Sequence, residues 1–138
     1  MPSFAFMVDA APPSVNSSYK IVRVPHKGGG SHQQLAKTEE AWAFQTYVAH
    51  LCRMARPTDF APVGQIRVRL AFFLKRAADP DNLLKVTLDG VKFGLGTKEG
   101  RNGKQVPKYD DIRYLPCVVS SESGHKDPHV EIEIVWDE

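Results

Sequence analysis

QIRVRLAFFLK, residues 65–75, and DPDNLLKVTLDGV, residues 79–91, decide the fold. In the first stretch Ile66, Val68, Leu70, Phe72 and Leu74 face one way, while Arg67, Arg69 and Lys75 face the other. A period of two with one apolar face is a half-buried β-strand. The second stretch changes period. Asp79 is placed as N-cap and Pro80 as the first helical residue, with Leu84, Leu88 and Val91 as the buried stripe of a helix.

Upstream, Thr38 followed by Glu39 and Glu40 opens another helix, acids being favourable in a first turn. Ala41, Phe44, Val48, Leu51 and Ala55 give it an amphipathic stripe, and Arg56-Pro57 stops it before a proline-rich loop to Pro62. Phe4, Phe6 and Val8 read as a short strand, APPSVNSSYK (residues 11–20) as a turn, and residues 20–24 as a second strand. Residues 26–36, with three consecutive glycines, read as a flexible basic loop. Downstream, residues 94–108, GLGTKEGRNGKQVPK, read as a long mobile basic loop. Ile112–Val119 is a strand near a sheet edge because of Pro116. His129–Trp136 closes the chain, with Val130, Ile132, Ile134 and Trp136 on one face. The order β-β-α-β-α-β-β predicts an α+β class: a single domain over 1–138, with a small mixed β-sheet packed with two main helices.

The 138 residues, 42% hydrophobic and 25% charged, suit a globular protein with one core. No apolar run approaches the roughly 18 residues that span a bilayer. MPSFAFMVDAAPPS lacks the basic region of a signal peptide, so the expected compartment is the cytoplasm. Cys52 and Cys117 form no CxxC spacing and read as two isolated buried thiols, with neither a disulfide framework nor a zinc site. Residues 1–76 hold ten Lys/Arg against four acids, whereas the remainder is net acidic. A basic half suits a polyanionic partner, and clustered acids suit a metal. Gly103-Lys104 is not a P-loop, since Lys98 stands where that motif needs glycine and Gln105 replaces Ser/Thr. His125 and His129 straddle Pro128 and share no helical face. His26 and His32 read as loop residues, and Trp42 and Phe44 as core or dimer interface.

The chemistry lies in residues 79–90. On a helix Asp81, Lys85 and Asp89 share one face, and Asp79 sits at its mouth. Asp110-Asp111 is a further pair that the fold could return to the same place. Converging carboxylates repel one another unless a cation neutralises them, and hard oxygen ligands favour Mg2+ or Mn2+. Such an ion can activate water for phosphodiester hydrolysis, with Lys85 as a point charge on the phosphate or leaving oxygen. The same spacing also allows a cap at Asp79, an Asp81–Lys85 ion pair and a turn at Asp110-Asp111.

D-x-D-N-L-x-K-x-x-L-D-G, followed by D-D-I, resembles the signature of the RusA family of Holliday junction resolvases. P-x-S-V-N-x-x-Y, Pro12 to Tyr19, is similar to that family's opening segment. The matches bracket roughly residues 4 to 136. The resemblance implies a RusA-like fold and a magnesium-dependent endonuclease, Mn2+ being able to substitute, that resolves four-way DNA junctions by paired symmetric nicks. It implies a homodimer serving DNA recombination and repair, often in phage or prophage, with no membrane and no nucleotide cofactor. Asp79, Asp81 and Asp111 match the catalytic metal-binding aspartates, with Asp110 a further candidate ligand, and Lys85 matches the active-site lysine. Asp89 takes a supporting role, near the metal or paired with Lys85. The departure is the longer stretch between Gly90 and Asp110. Its Lys98, Arg101, Lys104 and Lys108, with Lys27 and Arg76, are candidate DNA-binding residues, although a neutral surface insertion would look the same. The alternatives are a nuclease for another branched or single-stranded substrate, and a catalytically silent DNA-binding dimer.

Overall fold

The computed structural model describes residues 1–13, 18–109 and 113–137. Its strands are β1 (Ser3–Val8), β2 (Tyr19–Pro25), β3 (Ser31–Lys37), β4 (Ile66–Phe73), β5 (Thr97–Glu99), β6 (Gln105–Pro107), β7 (Tyr114–Glu122) and β8 (His129–Trp136). The two long α-helices among the described residues are α1 (Glu39–Ala55) and α2 (Asp81–Leu95). Four strands form the main sheet in the order β1-β8-β4-β7. β8 is antiparallel to both β1 and β4, and β7 is parallel to β4, so the sheet is mixed. The class is α+β, as the sequence predicts. No helix of the described residues is long and apolar enough to cross a membrane.

Alternation sorts the sheet into two faces. Ile66, Val68, Leu70 and Phe72 of β4 join Val130, Ile132, Ile134 and Trp136 of β8 in the core beneath the helices. Burying such side chains contributes roughly 1.5–3 kcal/mol each, which is what fixes the strand register. The opposite face is uncovered and carries Arg67 and Arg69, with Met7, Leu115 and Val119 exposed. Cys117 lies on this face too, so the expectation of two buried thiols fails: Cys52 is buried and Cys117 exposed, because β7 is an edge strand with none of the described residues covering that side.

The helices press together more closely than side chains allow. A Cβ on Gly90 would stand 2.7 Å from Val48 Cβ, and one on Gly94 would stand 2.5 Å from Cys52 Cβ. Two glycines one turn apart therefore form the seam between α2 and α1. The expected stripe of Leu84, Leu88 and Val91 is rotated accordingly. Leu83, Val86, Thr87, Gly90, Val91, Gly94 and Leu95 are buried, while Leu84 and Leu88 are half-buried at its margin.

Both expected loops contain strands. Residues 26–36 turn only over Lys27–Gly30, where Gly29 and Gly30 adopt φ of 101° and 75°, and β3 follows to pair with β2. Its sequence SHQQLAK has no buried alternation, so period two left no trace. Residues 94–108 begin as the last turn of α2 and continue as the β5–β6 hairpin. β7 starts at Tyr114, and Ile112 lies outside the described residues. Trp42 is 51% exposed and is no part of the core, whereas Phe44 is buried in it.

Candidate active site

β4 delivers the chain to the site through an exposed linker, Lys75–Ala78. Pro80 has helical dihedrals, φ −55° and ψ −34°, just before α2. One carboxylate oxygen of Asp79 accepts the Asp81 backbone N–H at 3.1 Å, and the Asp79 carbonyl accepts that of Asn82 at 3.0 Å. Asp79 thus caps the helix with its side chain, as the sequence predicts, and proline at the next position costs no hydrogen bond. Asp79 and Asp81 are both exposed, at the end of α2 where the backbone N–H groups and helix dipole favour negative charge.

One turn further on, Lys85 is exposed and its Nζ lies over the ring of Tyr19, 4.8 Å from the centroid. Tyr19 ends the Pro12–Tyr19 segment, so two motifs far apart in sequence meet here. Asn16 and the rest of 14–17 lie outside the described residues. Asp89 does not pair with Lys85. Its carboxylate accepts from Lys37 Nζ at 3.1 Å, Lys37 also donates to Gln45 Oε1, and its ammonium stands 4.6 Å from the centre of the Trp42 ring. The side chains of Lys37 and Asp89 are 15% and 25% exposed, so this pair ties β3 to α2 away from bulk water. Lys37 escaped the sequence reading because it lay between the expected loop, 26–36, and the helix opening at Thr38, and Tyr19 entered only through the resemblance.

Asp110 and Asp111 lie outside the described residues. Their described flanks, Tyr109 and Arg113, stand at the Leu95 end of α2. Tyr109 packs edge-on against Phe60 at 5.7 Å, Arg113 donates to the Pro62 carbonyl at 3.4 Å, and the Lys108 N–H donates to Gly96 at 2.8 Å. From Asp81 to Leu95 the helix spans about 21 Å.

The expected DNA contacts are spread along the molecule. Arg76 shares the linker with Asp79. Lys98, Arg101, Lys104 and Lys108 belong to the β5–β6 region at the far end of α2, and Lys27 sits in the β2–β3 turn. Sequence reasoning missed Arg53, Arg56 and Arg113, which join Lys98 and Lys108 around two adjoining clefts at that far end. Helix α1 and the proline-rich loop gave no sign that they end there.

Among the described residues no three His, Cys, Asp or Glu side chains form a group able to hold a metal ion. Magnesium is nevertheless commonly held by one or two carboxylates with water and phosphate oxygens completing its shell, so Asp79 and Asp81 fit it chemically. No protein-family model matches the chain, and no curated protein matches it either.

Proposed function

We propose that this protein is a magnesium-dependent endonuclease that nicks branched DNA, with the four-way junction as its substrate. One observation carries the reading: Lys85 and Tyr19, from separate segments that both resemble the resolvase signature, are in contact one turn from Asp79 and Asp81. Asp79 and Asp81 would hold the ion, which supplies an activated water and charge neutralisation at the phosphate. Lys85 is the donor that stabilises charge on the phosphate or leaving oxygen, and the Tyr19 face restrains its ammonium. Asp111, with Asp110 beside it, enters as a ligand through the resemblance alone, and its described flanks, Tyr109 and Arg113, stand at the other end of α2.

Two such sites in a two-fold dimer would cut a two-fold junction symmetrically. The uncovered sheet face, where Met7, Leu115 and Val119 stand exposed among Arg67, Arg69, Glu131 and Glu133, is the surface on which two copies would meet. The setting is DNA recombination and repair in the cytoplasm. The test is a gel assay on a synthetic four-way junction and a matched linear duplex, with and without Mg2+. Paired, Mg2+-dependent nicks confined to the junction are the expected result. Tight junction binding without nicks would replace the enzyme with a silent binder, and equal cutting of both substrates would remove the junction preference.

A further inference from the structure

Among the described residues the β2–β3 hairpin stands apart from the main sheet and pairs only with itself, from Tyr19↔Lys37 at its base to Pro25↔Ser31 at its tip. Seven residue pairs make an arm about 20 Å long. Its base is fixed: Lys85 lies over Tyr19, Lys37 reaches Asp89, and the Thr38 N–H donates to the Ser18 carbonyl at 2.8 Å. Its tip is held by a ring-nitrogen hydrogen bond of 2.6 Å between His26 and His32.

The two faces of the arm differ. On one, Val22, Val24 and Ala36 are half-buried. On the other, Ile21 and Leu35 are directly opposed across the strands, 67% and 69% exposed. Arg23 and Gln33 form the next pair on that same face and are exposed too. An isolated two-stranded ribbon is marginal in water, and two aliphatic side chains opposed on its open face are a surface that binding would cover. The charge says what binds. Residues 19–37 contain Lys20, Arg23, Lys27 and Lys37, and no Asp or Glu.

We propose that this arm is a DNA-binding β-ribbon, which lays its Ile21–Leu35 and Arg23–Gln33 face into the major groove of the duplex beside the cleavage site. The proposal rests on the reading of the protein as a DNA endonuclease. The major groove, about 12 Å wide, admits a two-stranded ribbon. There the aliphatic pair contacts thymine methyls, Arg23 and Gln33 reach base edges, Lys27 at the tip contacts a phosphate, and Lys20, opposite Ala36 on the other face, reaches a phosphate of the groove wall from the ribbon's edge. Because its base is pinned to Lys85 and Asp89, the arm fixes the spacing between groove contact and nick. A second copy of the chain is the weaker occupant, since two side chains fall far short of the roughly 800 Å² per partner of a stable interface.

The test uses the full chain, fluorescence anisotropy on a linear duplex and a four-way junction over a series of KCl concentrations, and sedimentation. The K20Q/K27Q double variant should reduce the salt slope by about 1.8, two phosphate contacts' worth. The I21S/L35S double variant should weaken binding about ten-fold at unchanged slope, with an unchanged urea midpoint because both side chains are already exposed. Wild-type affinity and slope in both variants, in a protein that still nicks junctions, would overturn the arm proposal and leave the endonuclease reading intact. Variants that bind DNA normally but sediment as monomers where the wild type is a dimer would overturn it in favour of a second copy. A wild-type protein that neither binds nor cuts DNA would overturn both.

Discussion

Lys85 holds its ammonium 4.8 Å from the centre of the Tyr19 ring, although its own helix offers Asp81 and Asp89 one turn away on either side. Asp89 is taken by Lys37, and Asp81 is left exposed at the helix mouth. The lysine is therefore directed by an aromatic face rather than neutralised by a carboxylate, which leaves its charge for a phosphate.

Replacing that ring should release the lysine. A cation–π contact is worth about 0.5–2 kcal/mol, so Tyr19→Leu should slow single-turnover nicking roughly 2- to 30-fold. Tyr19→Phe keeps the ring and should keep the rate. Among the described residues the Tyr19 hydroxyl is buried without a hydrogen-bond partner, so Tyr19→Phe should leave stability unchanged or raise it. Equal rates for Tyr19→Leu and wild type would mean that the ring does not position Lys85.

Asp79 has two separable duties, cap and ligand. Asparagine caps a helix about as well as aspartate, whereas alanine costs about 1 kcal/mol. Asp79→Asn should therefore keep the wild-type urea midpoint yet lose Mg2+-dependent cleavage, while Asp79→Ala should lose both. Asp81→Asn, which removes a ligand and a repulsive charge, should abolish cleavage and spare or tighten junction binding. Normal cleavage by Asp81→Asn would move the catalytic site elsewhere.

The glycine seam should be intolerant of a methyl group. In an exposed helix Gly→Ala stabilises by about 1 kcal/mol, but at Gly94 the new Cβ would meet Cys52 Cβ at 2.5 Å and the Ala49 carbonyl at 2.8 Å. Overpacking of this kind costs about 1–3 kcal/mol, so Gly94→Ala should be destabilised in urea. A stabilised variant would show that α1 can yield there.

The two thiols should differ in reactivity. Burial pushes the Cys52 thiol from 9.0 up to about 12, against the opposing pull of Arg56 and Arg53. Cys117, exposed on the open face, should react with a thiol reagent in the folded monomer and be shielded where two copies meet on that face, whereas Cys52 should react only after unfolding. The same shift sets a pH dependence. Above about pH 9 the unfolded chain loses the proton that the folded chain keeps, so stability falls as pH rises. The Cys52 contribution amounts to about 1.4 kcal/mol lost between pH 8 and pH 10. Cys52→Ala should lose that part of the slope, whatever its stability at neutral pH.

Legibility in the sequence followed burial. β4 and β8 were readable because every second side chain is buried, and α1 because its stripe is buried against α2 and β1. β3, β5 and β6 were not, since exposed strands such as SHQQLAK carry no alternation. Gly94 looked like the first of several loop glycines because a glycine needed for close packing and one needed for a turn look alike in sequence. At the site, the cap at Asp79 and the helical face of Asp81 and Lys85 follow from spacing. The partner of Asp89 does not: Lys37 reaches it from β3 across a tertiary contact, whereas the expectation was a place near the metal or a pair with Lys85.

β8 lies between β1 and β4, hydrogen-bonded to both. The two ends of the described chain are thus stitched together inside the sheet, as Phe4 opposite Ile134 and Val68 opposite the same residue attest. Such pairing has a large sequence separation and so a slow search, because the closure entropy of the intervening chain is met before any contact forms. The β2–β3 arm is local and can form early. During synthesis the nascent chain would hold β1 and β4 as two unjoined strands, each with an open edge, until β8 emerges to close them. That interval, rather than the finished fold, is where this protein is most exposed to aggregation.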